Sequence, residues 1–433
     1  MTPPASPAPV GTTEAPATGA STTSVPPGQM TGAPRQRIAA GFVLLVSALV
    51  AIGPLTIDLY LAAFPDITAE LQTTSAQVQL TITATLAGLA LGQLLIGSLS
   101  DTYGRKPPLV AALAVYVLVS VAIMATPSVE VLTILRFVQG LSSAAGMVVS
   151  MAIVRDSYEG VAMGKVIARL MLIVGVAPIL APTLGAQLLL VGSWRTMFGF
   201  LAAFGVLLLV LVLTVLKESL PVERRRTGGT RAALVSYKGL LGDRAFLGLA
   251  LLSGFYMAAM FTYVSSSTFV FQEGFGLSAQ EFGLIFGAGA IAVTAGSQIN
   301  GAMLGKVTPQ QILAVAVPSG VVLSAGLVVV AMADGGLWMM LALLVPTLGT
   351  VGFVLPSVPA IALEANGHRA GSAAALLGAF QFGIGAGIAP VTGLFGQSAL
   401  SMAAVMCAVI VIAAVLLLAV SRVWRRAEVA PAG

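Results

Sequence analysis

Apolar runs of about 20 residues recur along this chain, and each is long enough to cross a bilayer as a helix. Only 9% of the 433 residues are charged, against 58% hydrophobic, and the mean hydropathy is +1.00. A soluble domain carries roughly 25% charged residues, so no water-soluble surface can be assembled here. The runs lack two-residue alternation and aromatic residues make up only 6%, which argues against a membrane β-barrel. An all-α membrane protein is expected. Cys407 and His368 are the single cysteine and histidine. They exclude a disulfide framework and a Cys/His metal cluster.

Twelve spans are read, near residues 38–60, 76–99, 108–126, 129–153, 164–190, 194–216, 245–271, 280–303, 311–332, 336–360, 370–393 and 399–420. The break at Asp334-Gly335-Gly336 is the weakest of these, and losing it would make the number odd. Charge placement tests the count. With the amino terminus in the cytoplasm, 19 of the 21 basic residues fall on the cytoplasmic side, Arg195 alone falls outside, and Arg136 lies within a span. The external loops carry Asp66, Glu70, Glu130, Glu273, Glu281 and Asp334 instead. Such a positive-inside bias favours twelve spans with both termini cytoplasmic, in the cell (inner) membrane.

Residues 1–34 are mostly Pro, Ala, Thr, Ser and Gly with one charged side chain, Glu14. They read as a disordered cytoplasmic tail without the basic and apolar regions of a signal peptide. Residues 35–216 and 245–421 would form two six-helix bundles, joined by a cytoplasmic linker over 217–244 with seven basic and three acidic residues. Residues 422–433 form a second tail. A weak internal repeat agrees with this division. Residues 97–101 correspond to 301–305, and Ala181-Pro182-Thr183-Leu184-Gly185 to Ala389-Pro390-Val391-Thr392-Gly393. Two bundles with a binding site between them is a transporter architecture.

The most informative stretch runs from Gly97 through Asp101, Gly104, Arg105 and Lys106 to Leu109. It joins two spans by a very short loop. Gly104 permits the left-handed turn that such a loop needs, and Asp101 lies among cations near helix termini. A bare basic anchor at the membrane surface would need only the Lys and Arg.

This stretch resembles the loop signature of the major facilitator superfamily, and residues 38–421 resemble its twelve-span drug:proton antiporters, most of all the bicyclomycin/chloramphenicol-resistance exporters. Supporting segments are residues 54–60 in the first span, Arg136-Phe137-Val138-Gln139-Gly140, Arg155-Asp156 and Gly192-Ser193-Trp194-Arg195. Ala62 departs from the family's usual proline. The resemblance implies alternating access, with substrate leaving as protons enter. It also implies that Gly97, Asp101, Gly104, Arg105, Lys106, Arg155 and Asp156 form a cytoplasmic latch whose ion pairs hold the two halves in one state.

Asp58 is the expected proton carrier. An ionised carboxylate at membrane depth costs roughly 2.5–3.5 kcal/mol on insertion scales, so this group is suited to take up and release a proton. Pro54, four residues earlier, removes a backbone donor and should break the helix locally. The alternative places Asp58 in the outer interface, solvated and merely topological. Arg136 keeps its charge at any relevant pH and needs a partner or a wet cavity. The resemblance places it in the central cavity, coupled to protonation and sharing one hydrated network with Asp58. Snorkelling towards Glu130 is the alternative.

Gly175, Pro178, Pro182 and Gly185 resemble the antiporter motif, with Ala181 and Ala186 in place of glycines; ordinary small-residue packing is the alternative. Tyr60, Gln139, Met147, Tyr256, Tyr263, Phe380 and Gln381 are candidates to line a mainly apolar substrate cavity, each equally readable as helix packing or lipid contact. No Gly-x-x-x-x-Gly-Lys-Ser/Thr loop is present, so a proton gradient, with no cofactor and no metal, is the expected energy source. Small amphipathic drugs, protons and membrane lipids are the expected partners of a monomer, with no nucleic acid. A metabolite or sugar exporter on the same scaffold is the alternative within transport, and a non-transporting receptor the one outside it. An enzyme is not expected, because Asp58 and Arg136 are the only candidate polar groups within the spans.

Overall fold

The computed structural model describes Thr2 and residues 40–225 and 229–429. The rest of the 1–34 tail, Arg35, Arg37 and Arg226 lie outside the described residues. Among the described residues, twelve helices are long and apolar enough to cross a membrane.

The amino-terminal bundle contains α1 (Ala40–Asp58), α3 (Ser75–Tyr103), α4 (Lys106–Met124), α5 (Val129–Ser157), α6 (Gly160–Val191) and α7 (Trp194–Thr214), with the short α2 (Phe64–Glu70) following α1. The carboxy-terminal bundle contains α9 (Arg244–Thr268), α10 (Ala279–Met303), α11 (Pro309–Met332), α12 (Gly336–Ala365), α13 (Ala370–Ile388) and α15 (Ala399–Val429), with the four-residue α14 (Val391–Leu394) after α13. Between the bundles lies α8 (Gly229–Leu241), a helix inside the segment read as a linker.

Local chemistry sets the boundaries. Thr74, Ser278 and Thr308 each make a reciprocal cap, with Gln77, Glu281 and Gln311, at the starts of α3, α10 and α11, satisfying first-turn amides that have no helical partner. The uncertain break at 334–336 is a turn: Asp334 and Gly336 both have positive φ, 48° and 76°. The expected break at Pro54 is corrected. Helix α1 runs through Pro54 to Asp58 and is interrupted only at Leu59–Tyr60, before a 3-10 turn at Leu61–Ala63. A proline removes one helical hydrogen bond, and packing on both sides of α1 keeps the flanking turns in place.

The bundles meet along α3 with α13 and α6 with α10. From the acidic end inward, Gln280 donates to the Ala186 carbonyl, Thr183 to that of Gly283 and Thr294 to that of Gly175. Gln93 approaches Gly378 across the other seam. Nearer the basic end, nothing among the described residues comes within 4 Å of the Cβ positions of Gly164, Gly301 and Gly371. The Gln280–Ala186 and Thr183–Gly283 bonds thus join the bundles toward the acidic end.

Candidate functional site

Asp58 is the last residue of α1 and is 4% exposed. It is thus not a solvated surface acid, and among the described residues no hydrogen bond or ion pair engages its carboxylate. Tyr263, on α9 of the other bundle, is likewise buried. The Tyr263 hydroxyl also has no partner, and its ring stacks on Phe286 at 5.2 Å. The interruption of α1 just after Asp58 needs α6 to come very close. A Cβ on Gly185 would collide with the Leu59 carbonyl, so the glycine of the antiporter-like segment seats the chain beside Asp58. Pro178 and Pro182 lie within the continuous helix α6, and Gly175 accepts the bond from Thr294 across the bundles.

Arg136 is fully buried. Its Nη1 donates to Gln139 Oε1 at 2.6 Å and its Nη2 to the Thr56 carbonyl at 2.8 Å. The guanidinium lies 4.2 Å from the Tyr60 ring centroid and 5.6 Å from that of Phe198, a cation–π cage. Further bonds fix the cage. Gln139 Nε2 donates to Ser120 Oγ at 2.8 Å, Thr56 Oγ1 and the Tyr116 hydroxyl share a bond of 2.7 Å, and the Tyr60 hydroxyl and Thr81 Oγ1 share one of 2.8 Å. The guanidinium Nε remains without a partner. Arg136 neither snorkels nor pairs directly with Asp58. It grips the α1 backbone two residues before the acid, so the two groups are linked through about half a turn of α1.

The substrate candidates separate accordingly. Tyr60 and Gln139 are fully buried around Arg136, and Tyr256 is fully buried with its hydroxyl 3.5 Å from the Ala316 and Val317 carbonyls. These three line no open surface in this state. Met147, Phe380 and Gln381 are half-buried, and Met147 Sδ accepts from Gln93 Nε2 at 3.5 Å. Gln93 was not singled out in the sequence, because a lone glutamine in an apolar run carries no pattern.

At the basic end, Arg105 donates to Asp101 at 2.5 Å, to Asp156 at 2.8 Å and to Ser100 Oγ at 3.0 Å. Gly104, with φ of 95°, turns the chain here. Glu218, after α7, accepts from the Arg105 amide at 2.8 Å and the Lys106 amide at 3.1 Å, while Ser219 donates to Asp156 at 3.1 Å. Lys106 Nζ caps the carboxy end of α7 through the carbonyls of Leu213 and Leu216. Burial pulls the Arg105 guanidinium down, but the bonds to Asp156 and Asp101 outweigh it and hold it above its ordinary value. Burial likewise pushes Glu218 up, and the amides of Arg105, Leu220 and Lys106 with the Arg225 charge outweigh that and hold it below the usual carboxylate range. Arg155 is exposed, and no bond of this cluster among the described residues includes it; the Gly97 carbonyl accepts from Ser100 Oγ, which in turn accepts from Arg105. Arg105, in the loop after α3, pairs with Asp101 of α3 and with Asp156 of α5, and Glu218 and Ser219 add the segment after α7. Among the described residues, these bonds lie within the amino-terminal bundle and the segment that leaves it.

The Major Facilitator Superfamily sequence profile matches residues 44–390. This chain belongs to that superfamily and is a multi-pass membrane transporter. It is 38% identical over 374 residues to the uncharacterized MFS-type transporter YdgK of Bacillus subtilis, covering 86% of this chain and 92% of that protein. It is 28% identical over 351 residues to the bicyclomycin resistance protein homolog of Haemophilus influenzae, covering 80% of this chain and 87% of that one. Among solved structures, a bacterial homolog of the human lysosomal transporter Spinster, in an inward-facing and unoccupied conformation, superimposes with a TM-score of 0.68 at 16% identity, over 90% of this chain and 98% of that one. That likeness concerns the fold.

Proposed function

We propose that this transporter expels small amphipathic drugs, in the range of chloramphenicol and bicyclomycin, in exchange for protons by alternating access in the cell membrane. The observation that carries this reading is Asp58: a buried, unpaired carboxyl at the interruption of α1, between the bundles, seated by Gly185 and adjoining the Arg136 cage. A carboxyl so placed is neutral when it holds a proton and must gain water or a cation when it loses one. Its charge state therefore favours different arrangements of the bundles. Arg136 acts as the fixed electrostatic partner through α1. The bicyclomycin resistance name of a relative supports the drug class. The basic end, with Arg105 and Lys106, faces the cytoplasm by the positive-inside rule, and both termini lie there.

A proton falling through a membrane potential releases about 2.3 kcal/mol per 100 mV, and a tenfold substrate gradient costs about 1.4 kcal/mol. One proton therefore suffices for a useful gradient. Everted vesicles carrying the protein are expected to accumulate chloramphenicol only when energised, and to release it on adding a protonophore. Accumulation that persists in the protonophore would overturn the coupling, and no accumulation of any drug in that range would overturn the substrate class.

A further inference from the structure

Two irregular segments meet at the acidic end. In the amino-terminal bundle α1 unwinds after Asp58 into the 3-10 turn Leu61–Ala63. In the carboxy-terminal bundle α9 gives way to a π turn, Phe269–Gly274. Single π turns within helices recur at functional sites because they redirect side chains at a cost in regular bonding. Here the redirection has a target. Thr268 Oγ1 donates to the Leu61 carbonyl at 3.1 Å, and Gln272 Nε2 to the Ala62 carbonyl at 3.1 Å. The fully buried Gln79 of α3 reaches back the other way. Its Nε2 donates to the Ser265 carbonyl at 2.9 Å and to Gln397 Oε1 at 2.8 Å. Phe64 and Phe269 pack beside these bonds with centroids 5.7 Å apart.

From this geometry we infer that Thr268 and Gln272 are positioning residues for transport: with Gln79 they form a neutral hydrogen-bond clasp that closes the outer gate on the segment directly after Asp58. Both acceptors on α1's side are backbone carbonyls, which have a second lone pair to offer. The donors are thus the only side chains the clasp requires from α9 and its π turn. No charge is involved, so opening strands no ion in an apolar seam. Water replaces each bond at small net cost, since a neutral hydrogen bond contributes about 1 kcal/mol. A clasp of this kind can break and re-form every cycle. Movement of α1 at Asp58 is carried straight to it, three residues on.

The inference rests on the alternating-access reading and is tested apart from proton coupling. Spin labels at Ala69→Cys and Glu273→Cys, in full-length protein carrying Cys407→Ser and reconstituted in lipid vesicles, report the outer distance by electron double resonance. Thr268→Val with Gln272→Leu is expected to shift the ratio of outer-open to outer-closed molecules about tenfold. Thr268→Ser, which keeps the hydroxyl, should retain the unaltered distribution. If the double variant does not fold, Gln272→Leu alone, at a half-buried site, should give a smaller shift in the same direction. An unchanged distribution in the folded double variant, or in Gln272→Leu when only that folds, overturns the clasp. So does a shift that Thr268→Ser reproduces in full. The protonophore assay reports coupling separately, so the two readings can fail independently.

Discussion

The two ends of this transporter are held by opposite kinds of chemistry. At the basic end Asp101, Arg105, Asp156 and Glu218 form a charged network, yet it stays within one bundle and the segment that leaves it. At the acidic end the strong charged contact, Glu70 with Arg195 and the Trp194 indole, is again internal to the amino-terminal bundle. The bonds that cross between bundles there are neutral: Gln79, Thr268, Gln272, Thr183 and Gln280 on carbonyls. Charges with desolvated partners are costly to separate, so they suit contacts that persist. Neutral bonds suit a seam that must part repeatedly. Here the ion pairs lie within the amino-terminal bundle, whereas the bonds across the seam are neutral.

That contrast can be broken in several ways. The largest effect is expected from Gly185→Leu. The added side chain meets the Leu59 carbonyl, overpacking of this kind costs about 1–3 kcal/mol, and transport should be abolished with a clear fall in thermal stability. Next is Arg105→Ala, which strands Asp156 and Asp101. Because the Asp101 side chain is 38% exposed, the loss should be about 2 kcal/mol, less than for a fully buried pair, read as a lowered unfolding midpoint in detergent. Glu218→Gln is milder, since the amide bonds can persist, and should cost under about 1 kcal/mol. The Glu218 contribution also has a pH signature. Its carboxyl is held below the usual range, so its stabilisation is complete above the ordinary glutamate range and fades as pH falls through the lowered value. Stability of Glu218→Gln should therefore converge on that of the unaltered protein only in acid. Smallest should be Arg155→Ala, an exposed site outside the network, with no measurable change.

Much of the fold was legible because a bilayer imposes length and sidedness on sequence. The twelve spans, the turn at 334–336 and the division into bundles follow from apolar runs and the placement of Lys and Arg. The helix α8 did not, because a charged stretch with a Gly-Gly pair reads as linker until Tyr237 is seen donating to the Leu94 carbonyl at 3.3 Å. Burial first, then the Asp101 charge, push the Tyr237 phenol up, which marks α8 as packed against α3. Asp58 and Arg136 stood out because charge is rare in apolar spans. Their true neighbours did not: Thr56, Tyr116, Ser120 and Phe198 are ordinary residues brought together by packing. Glu218 lies 113 residues from Arg105, a separation across which no local pattern operates. The π turn at 269–274 likewise has no sequence signature, since its cause is the seam it faces.

The central claim is that the protonation of Asp58 drives the exchange between states, and reconstituted vesicles with an imposed pH gradient test it most directly. The account predicts that Asp58→Asn still exchanges labelled chloramphenicol for unlabelled drug across the membrane at equilibrium, yet no longer concentrates it against a gradient. Uphill accumulation by Asp58→Asn equal to that of the unaltered protein would contradict it.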